Sequence, residues 1–381
     1  MNILGIICEY NPLHNGHKYQ LTTQKERFGA DGVICLMSGS FVQRGAPAIF
    51  DKWSRAKMAV LNGADLVLEL PVVYAAQSAN RFATGAISIL NALGAVNGLS
   101  FGSECGDIDA LKSAAKILET EEFNVLLKEE LQKGMSFPAA KELAFKKTFP
   151  ESDASLFSLP NNILGIEYLR ALNHLNSTIT PITHKRELSF ASASCVREKM
   201  QNGEDISDDV PKKALPCFQT PFDASLFDAL VTSTFRQKTA EDLKAIADVS
   251  EGLELRFLKG AKETYGAENL AEYVKSKRYT RTRINRIIIN TLLGITKKDL
   301  DLLPQYVRVL AFNDTGAKIL REISKISAIP VITKTADAAP TCDDFSRMLE
   351  LDLRATDLYS LLTQDKRGGL DFLTSPIYVK N

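Results

Sequence analysis

Short apolar runs alternate with longer amphipathic segments through the first half of the chain, and this alternation limits the fold more than any other feature. It is typical of βαβ units, in which helices join parallel strands and cover the faces of one sheet. The predicted strands cover residues 2–8, 32–37, 65–70, 98–101 and 178–183. The predicted helices cover residues 16–27, 52–62, 79–93, 108–119 and 163–173. The sequence therefore predicts an α/β domain with a Rossmann-like parallel sheet.

The alternation of short apolar runs and amphipathic segments ends after residue 201. A polar, turn-rich stretch follows, and such stretches are typical of domain boundaries. We therefore predict a first domain of residues 1–203 and a second, mainly helical domain of residues 204–381. Within the second domain, residues 306–312, 316–325 and 329–333 have the pattern of a strand, a helix and a strand.

Composition excludes several functional classes. Lys plus Arg and Asp plus Glu both number 46, so net charge gives no sign of a polyanionic partner and any nucleic-acid surface must be local. The six cysteines lack CxxC spacing, which argues against a disulfide framework or a structural zinc site and predicts a reducing, cytoplasmic location. The apolar run at the start ends at Glu9 and is too short to span a bilayer, so no membrane is expected.

The strongest functional signal is His14-x-Gly16-His17, directly after the first predicted strand. Loops at the carboxyl ends of parallel strands bind ligands in α/β sheets, and a helix start offers free N–H groups to phosphate. Gly16 lacks the Cβ that would keep phosphate from the backbone, and both imidazoles can reach one phosphate cluster. The alternative is a pair of ordinary surface histidines. We favour the phosphate site and predict that His14 and His17 are catalytic.

In this position the motif resembles the HIGH signature of the nucleotidyltransferase superfamily. Members of that superfamily hold ATP with this loop and catalyse attack at the α-phosphate with release of pyrophosphate. Their second motif is a Ser/Thr-rich turn that ends in a basic residue. The candidate here is the segment 192–197, in which Ser192 would cap a helix while Ser194 and Arg197 would contact phosphate. The alternative is a plain capped surface helix.

Further sequence blocks narrow the resemblance. They are Cys8-Glu9-Tyr10-Asn11-Pro12, Gly39-Ser40-Phe41-Val42-Gln43-Arg44-Gly45, Gly63-Ala64-Asp65-Leu66-Val67-Leu68-Glu69-Leu70-Pro71, Phe101-Gly102-Ser103-Glu104, Pro160-Asn161-Asn162-Ile163 and Tyr279-Thr280-Arg281-x-Arg283-Ile284. Over nearly the whole chain, this set resembles the bacterial tRNA(Met) cytidine acetate ligase family. The resemblance implies two steps: ATP and acetate form acetyl-adenylate and pyrophosphate, and the acetyl group then passes to N4 of the wobble cytidine in elongator tRNA(Met).

The resemblance also implies an ATP site, carried over position by position. It comprises Ile7, Cys8, Glu9, Tyr10, Asn11, Pro12, Leu13, His14, Asn15, Gly16, His17, Lys18, Tyr19, Gln20, Gly102, Asn162 and Arg186. Gly102 would leave room for the nucleotide, Asn162 would bind the base or ribose or else cap a helix, and Arg186 would meet phosphate charge. Mg²⁺ is expected with ATP, with Glu9 and Glu104 as candidates to help place it, and no metal site made of protein ligands alone is indicated.

The densest basic run, residues 275–286, contains a tyrosine. The candidates for tRNA contact are Lys275, Lys277, Arg278, Tyr279, Arg281, Arg283 and Arg286. The cations would meet phosphates, and the Tyr279 ring would stack on an unpaired base. The alternative is a solvated helix face, which is the usual fate of a charge run. The family resemblance favours tRNA.

Two other functions remain open on the sequence. An adenylyltransferase that joins AMP to a phosphorylated metabolite would explain the first half of the chain but leave the basic run without a role. A non-catalytic nucleotide- or RNA-binding protein would predict a damaged phosphate motif, whereas both histidines and Gly16 are present. A class I aminoacyl-tRNA synthetase is disfavoured because no KMSKS-like string follows the catalytic region. Beyond tRNA and acetate, no obligatory protein partner is inferred.

Overall fold

The computed structural model describes residues 1–149, 154–187, 189–250 and 252–380. The strands are β1 (Ile3–Cys8), β2 (Gly32–Ser38), β3 (Phe41–Val42), β4 (Ala46–Pro47), β5 (Leu66–Leu70), β6 (Gly98–Ser103), β7 (Thr180–Lys185), β8 (Val307–Phe312), β9 (Val331–Ile332) and β10 (Ile377–Tyr378). The first helices are α1 (Asn15–Phe28), α2 (Lys52–Leu61), α3 (Val72–Ala75), α4 (Ala79–Ala92), α5 (Ile108–Ile117), α6 (Glu121–Gln132), α7 (Phe137–Thr148), α8 (Pro160–His174) and α9 (Ala193–Gln201). The later helices are α10 (Ala224–Arg236), α11 (Ala240–Ala245), α12 (Leu253–Glu263), α13 (Ala267–Val274), α14 (Arg281–Leu293), α15 (Asp314–Ile326), α16 (Asp343–Ser360) and α17 (Leu370–Leu373). Short 3₁₀ turns cover Ala154–Phe157, Leu215–Cys217, Lys298–Asp301 and Thr335–Asp337.

One sheet with the strand order β10-β8-β5-β2-β1-β6-β7 forms the centre of the fold, and β9 pairs with β8. Strand β1 lies between β2 and β6 and is parallel to both, which brings its carboxyl end to the middle of one sheet edge. Its residues are almost all apolar and buried, as expected of a central parallel strand covered on both faces. The predicted α/β fold with a parallel sheet and a more helical second half is confirmed. Helices α6 and α7 were not indicated by the alternation.

The second half of the chain also contributes strands to this sheet. Strand β8 pairs antiparallel with β5, and β9 and β10 pair parallel with β8. The predicted strand–helix–strand unit after residue 305 is therefore present, but it extends the first sheet. The sheet consequently crosses the division predicted between residues 203 and 204, and that division stays a prediction.

Four buried charged side chains join the two halves. The Lys52 ammonium lies 3.0 Å from a Glu69 oxygen and 2.6 Å from Asp371 Oδ1. The Arg308 guanidinium donates to Glu69 Oε2 at 2.8 Å and lies 2.9 Å from Asp371 Oδ1. Each side chain is at most 5% exposed. Two cations and two anions thus balance, and removing one would leave an uncompensated buried charge.

Helices α10 to α14 enclose an apolar cluster of their own, which includes Phe235, Phe257 and Ile287. The β3–β4 hairpin packs directly on this region. Its Gly45 has φ of +76°, and a Cβ there would lie 2.4 Å from the backbone nitrogen of Arg286. The hairpin can therefore sit against the backbone of α14 only because this residue has no side chain. No helix in the part of the chain described is long and apolar enough to cross a membrane.

Candidate active site

A cavity of about 260 Å³ opens where β1, β6 and β7 end. The loop after β1 and the start of α1 form one side, and the hairpin, α4, α8 and α9 contribute the others. Ligand sites of parallel sheets lie at this carboxyl edge, because the loops that leave the strands meet there. The cavity is therefore where the chain can bind a nucleotide.

His14 and His17 form a stacked pair at the start of α1. Their ring centroids are 3.7 Å apart. Nδ1 of His14 accepts a hydrogen bond from the Gly16 N–H at 3.1 Å, and Nδ1 of His17 accepts from the His14 N–H at 3.3 Å. Because each Nδ1 is an acceptor, a neutral ring carries its proton on Nε2. Each imidazole therefore has one Nε2–H available to donate in the cavity that both residues line.

Both imidazoles are neutral at pH 7 in the free protein. Burial, followed by the positive charge of Arg186, lowers the pKa of His14 to about 4. Burial and the neighbouring His14 hold the pKa of His17 well below its usual value. The pair therefore offers neutral donors, and an anion bound beside them would favour their protonated forms.

Two glycines leave space for the polar groups of the cavity. A Cβ on Gly16 would lie 3.0 Å from Cε1 and 3.1 Å from Nδ1 of His14, so this position lets the His14 ring fold back over the helix start. A Cβ on Gly102 would lie 3.2 Å from Cγ of Arg186 and 3.3 Å from Nε2 of His184. The sequence assigned both glycines to the nucleotide, and the structure adds that neighbouring protein side chains also need the room.

Helix α9 is tied to the HxGH loop through Arg197. Its Nη1 donates to the Asn11 carbonyl at 2.5 Å and its Nη2 donates to Ser194 Oγ at 3.1 Å. Ser192 caps the helix by accepting from the Cys195 N–H at 3.2 Å, as predicted. Arg197 lines the cavity. The two serines do not: Ser192 caps α9, and Ser194 accepts a hydrogen bond from Arg197.

Asn162 lies beside the cavity and orders the loop after β6. Its Oδ1 accepts from the N–H groups of Glu104 at 3.0 Å and Cys105 at 3.2 Å, and the residue is 1% exposed. In return, Glu104 accepts from the N–H groups of Asn161 at 3.2 Å and Asn162 at 2.8 Å, at the start of α8. Asn161 lines the cavity, whereas Asn162 lies outside the lining with its Nδ2 unpartnered among the described residues. The contact to base or ribose predicted for Asn162 stays a prediction.

The cavity gathers most of the predicted ATP site. The predicted residues that line it are Ile7, Cys8, Glu9, Tyr10, Asn11, His14, Gly16, His17, Tyr19, Gln20, Gly102, Arg186 and Arg197. The predicted residues outside the lining are Pro12, Leu13, Asn15, Lys18, Asn162, Ser192 and Ser194. Leu13 is buried in the core, Asn15 donates to the Asp208 carbonyl at 2.7 Å, and Lys18 is exposed. Consecutive positions in a helical turn point in different directions, so a continuous segment cannot face one cavity throughout.

Sequence reasoning assigned no role to several lining residues. They are Gln43, Arg44, Phe82, Phe101, Asn161, Leu164, Tyr168, His184, Glu187, Phe190 and Ala193. Gln43 and Arg44 belong to a block that follows the second strand, and strand order alone places that block at the same edge. The aromatic and aliphatic residues come from helices that reach the cavity only through packing, and they carry no local signal.

Three residues of the predicted tRNA-binding run are engaged inside the protein. Tyr279 is 9% exposed, and the Arg283 guanidinium lies 5.0 Å from the centre of its ring. Arg283 Nη2 donates to the Asp248 carbonyl at 2.9 Å and to Ser250 Oγ at 2.7 Å. Arg286 is also buried, with its Nε 3.3 Å from Asp248 Oδ2. The Tyr279 ring lies in the helical core, so stacking on a base would require the ring to leave it, and that contact stays a prediction.

The exposed part of the run is its first third. Arg281 pairs with Glu268 and lies 3.0 Å from Glu272, and Lys275 lies 3.5 Å from the same Glu272. Lys275, Lys277 and Arg278 have exposed side chains. The cationic surface that an RNA could reach therefore precedes α14 and is smaller than the sequence suggested.

A mostly parallel sheet with a paired HxGH loop at its carboxyl edge defines a HIGH-type nucleotidyl transferase. The sequence profile of the HIGH nucleotidyl transferase family matches residues 1–370. The tRNA(Met) cytidine acetate ligase of Acetivibrio thermocellus is 44% identical with 98% of each chain covered, and that of Clostridium novyi is 41% identical with 100% of each covered. The chain therefore belongs to the tRNA(Met) cytidine acetate ligases of the HIGH nucleotidyl transferase family.

A solved structure extends this similarity to the fold. Thermotoga maritima TmcAL, solved with alpha-thio ATP bound, has a TM-score of 0.95 and 34% identity, with 100% of each chain covered. Its apo form has a TM-score of 0.94. The similarity covers the whole chain, so it includes the sheet, the helical cluster and the edge that forms the cavity.

Proposed function

We propose that this protein activates acetate with ATP and transfers the acetyl group to N4 of the wobble cytidine of elongator tRNA(Met), giving N4-acetylcytidine. The observation that carries the proposal is the His14–His17 pair at the carboxyl edge of the sheet, with both Nδ1 atoms bound to backbone and both Nε2–H groups available. Membership of the ligase family supports this reaction, and the cavity beside the histidine pair is where ATP would bind.

In the first step, an acetate oxygen attacks the α-phosphorus of ATP and pyrophosphate leaves. The Nε2–H groups of His14 and His17 donate to the negative charge that grows on the phosphate oxygens. Donors fixed before the reaction need no reorganisation, so each is worth on the order of 10²–10³ in rate. Acetate is ionised at neutral pH, and this step needs no general base.

Two arginines reach the cavity from opposite sides and are suited to the remaining phosphate charge. Arg186 follows β7, and Arg44 projects from the hairpin as an exposed side chain. Arg197 braces the loop through Asn11, and the N-terminus of α9 adds free N–H groups. One guanidinium group can donate two parallel N–H hydrogen bonds to two oxygens of a phosphate, and this geometry suits the leaving pyrophosphate.

Mg²⁺ is expected to enter with the triphosphate, because it is commonly held by substrate phosphates and water. In the described part of the chain, no group of three or more His, Cys, Asp or Glu side chains could hold a metal ion. Both carboxylate oxygens of Glu104 already accept from backbone N–H groups at the start of α8. Glu104 therefore has little left to offer Mg²⁺ as it lies.

In the second step, the tRNA places its wobble cytidine against the bound acetyl-adenylate. Lys275, Lys277 and Arg278 are the exposed cations of the basic run and would meet RNA phosphates. Selection of one tRNA would come from splayed anticodon bases. The reaction needs no protein partner, and the cytoplasm is where ATP and tRNA meet.

The test measures pyrophosphate release from ATP with and without acetate, then analyses the nucleosides of added bacterial tRNA by mass spectrometry. We expect acetate-dependent pyrophosphate and new N4-acetylcytidine, both abolished by His17→Ala. If acetate had no effect and the tRNA stayed unmodified, the ligase function would be rejected.

A further inference from the structure

The two steps of the proposed reaction differ in their need for a base, and the following inference rests on that proposed function. Acetate attacks ATP as an anion and has no proton to lose. The exocyclic amine of cytidine is neutral, and it must lose a proton when it becomes an amide. A group that accepts this proton has to lie in the cavity with a free acceptor atom.

Glu9 has such an atom. It directly follows β1 and lines the cavity together with His14 and His17. One carboxylate oxygen, Oε1, accepts from the Gln43 N–H at 2.8 Å, which fixes the side chain against the hairpin. Within the described residues, Oε2 has no hydrogen-bond partner, and Glu9 forms no ion pair within 4.0 Å.

The histidine pair and the other carboxylates in or near the cavity lack this freedom. His184 also lines the cavity, and its buried Nδ1 has no partner among the described residues, but burial and the charge of Arg27 lower its pKa to about 4 and make it the weaker base. Nδ1 of His14 and of His17 both accept from backbone N–H groups, and their Nε2 atoms carry protons. Both oxygens of Glu104 accept from the N–H groups of Asn161 and Asn162. Glu187, the other carboxylate in the lining, is exposed to solvent. Glu9 is the sheltered carboxylate with an oxygen to spare.

Burial makes the free oxygen of Glu9 a better base than an exposed carboxylate. Burial raises the pKa of Glu9, and the hydrogen bond from the Gln43 N–H, followed by the guanidiniums of Arg55, Arg44 and Arg197, offsets that rise only in part. Arg55 donates to the Glu9 carbonyl at 2.7 Å, and Arg197 to the Asn11 carbonyl, so both act on backbone near the carboxylate.

Tyr168 of α8 also lies near Glu9. Burial, with smaller contributions from the charges of Glu9 and Cys8, raises the pKa of Tyr168. Its hydroxyl therefore stays protonated, and it cannot replace the carboxylate as base near neutral pH.

We propose that Glu9 is the general base of acetyl transfer. The N4 nitrogen forms a bond to the carbonyl carbon of acetyl-adenylate, and one N4 proton passes to Glu9 Oε2. The carbon–oxygen bond to the AMP phosphate then breaks, and AMP leaves as an anion that needs no proton. Glu9 returns its proton to solvent, so the step yields the amide, AMP and one proton.

The test separates the two steps in Glu9→Gln. This variant keeps an oxygen to accept from the Gln43 N–H and loses the basic atom. Acetate-dependent exchange of pyrophosphate into ATP measures the first step, and single-turnover acetylation of tRNA measures the second. We expect transfer to slow by on the order of 10²-fold, as for the loss of a general base, and by clearly more than exchange slows. Glu104→Gln is the contrasting variant and should slow exchange as well, because Glu104 orders the start of α8.

A second measurement follows the pH dependence of transfer. The single-turnover transfer rate of the wild type should rise with pH through the pKa of Glu9 and then level, and this dependence should disappear in Glu9→Gln. Unchanged transfer in Glu9→Gln, or a flat wild-type profile, would overturn the proposal. Loss of exchange together with transfer would assign Glu9 to the first step instead. A wild type with no acetate-dependent exchange would reject the ligase function itself, which is a different failure.

Discussion

The catalytic cavity and the helical cluster both contain polar residues that the sequence marks, yet only the cavity leaves them available. In the cavity, backbone groups hold His14 and His17 by one nitrogen and leave the other to donate. In the cluster, Asp248 and Tyr279 engage Arg283 and Arg286. The local backbone fixes the orientation of residues in a short spacing motif such as HxGH. The exposure of residues in a charge run depends instead on which distant segments pack against them.

The cavity side of this comparison is tested most strongly by His14→Asn. Asparagine is also a good N-cap, so α1 should stay intact while the Nε2–H donor is lost. We expect acetate-dependent pyrophosphate release to fall by on the order of 10²–10³-fold. His174→Asn is the matched control, because His174 is 61% exposed at the end of α8 and should keep full activity. A fall of less than tenfold would show that the cavity donor is not needed.

The cluster side is tested by Arg286→Ala, which should act on stability. The change leaves Asp248 without its partner and opens a gap in a buried region. We expect the free energy of unfolding to fall by about 3 kcal/mol, the lower end for breaking a buried pair. Urea unfolding measures it, with Lys277→Ala as an exposed control that should stay within about 0.5 kcal/mol. Equal stabilities would mean that the basic run is a free surface after all.

The pH dependence of stability should also distinguish the cavity. The pKa of His14 is about 4 in the folded protein, against an ordinary value of 6.5. Between these two pH values the His14 imidazole is protonated in the unfolded chain and neutral in the folded chain. Stability from this group is therefore present above about pH 6.5 and is lost as the pH falls towards 4. Between pH 7 and 5, we expect His14→Asn to lose about 2 kcal/mol less than the wild type. Identical losses in urea unfolding would contradict the buried neutral state.

The smallest expected effect separates exposed from paired cations within the basic run. Lys277→Ala should weaken tRNA binding a few-fold and reduce the slope of log affinity against log salt by about 0.7–1. Arg281→Ala should change the slope less, because Arg281 already lies 3.0 Å from Glu272. Filter binding over a salt series measures both. Equal slopes for the two variants would place Arg281 at the RNA surface.

The parts of the molecule that follow from local order were predictable from the sequence. Strand β1, the helix start at Asn15 and the cap at Ser192 depend on residues close in the chain, and the structure has each of them. The antiparallel pairing of β8 with β5 was not predictable, because residues 307–312 have a strand pattern that does not name a partner more than 200 positions earlier.

The candidate site was likewise predictable only where it depends on residues close together in the chain. The histidine pair followed from spacing, whereas Arg44, Asn161 and His184 reach the cavity from separate loops through long-range packing. The burial of Tyr279 was not predictable for the converse reason, because its position in a basic run gives no sign that the helices bury its ring. The chemical role of the histidine pair could be predicted from neighbouring residues, whereas the exposure of a side chain such as Tyr279 could not.

The buried quartet of Lys52, Glu69, Arg308 and Asp371 bears on how the chain matures during synthesis. A ribosome makes Lys52 and Glu69 early, Arg308 much later and Asp371 near the end of this sequence. Once Arg308 has emerged and until Asp371 follows it, the sheet would have to bury two cations against one anion, which costs several kcal/mol. We therefore expect β8 to settle against β5, with Arg308 buried beside Glu69, only when Asp371 is also available.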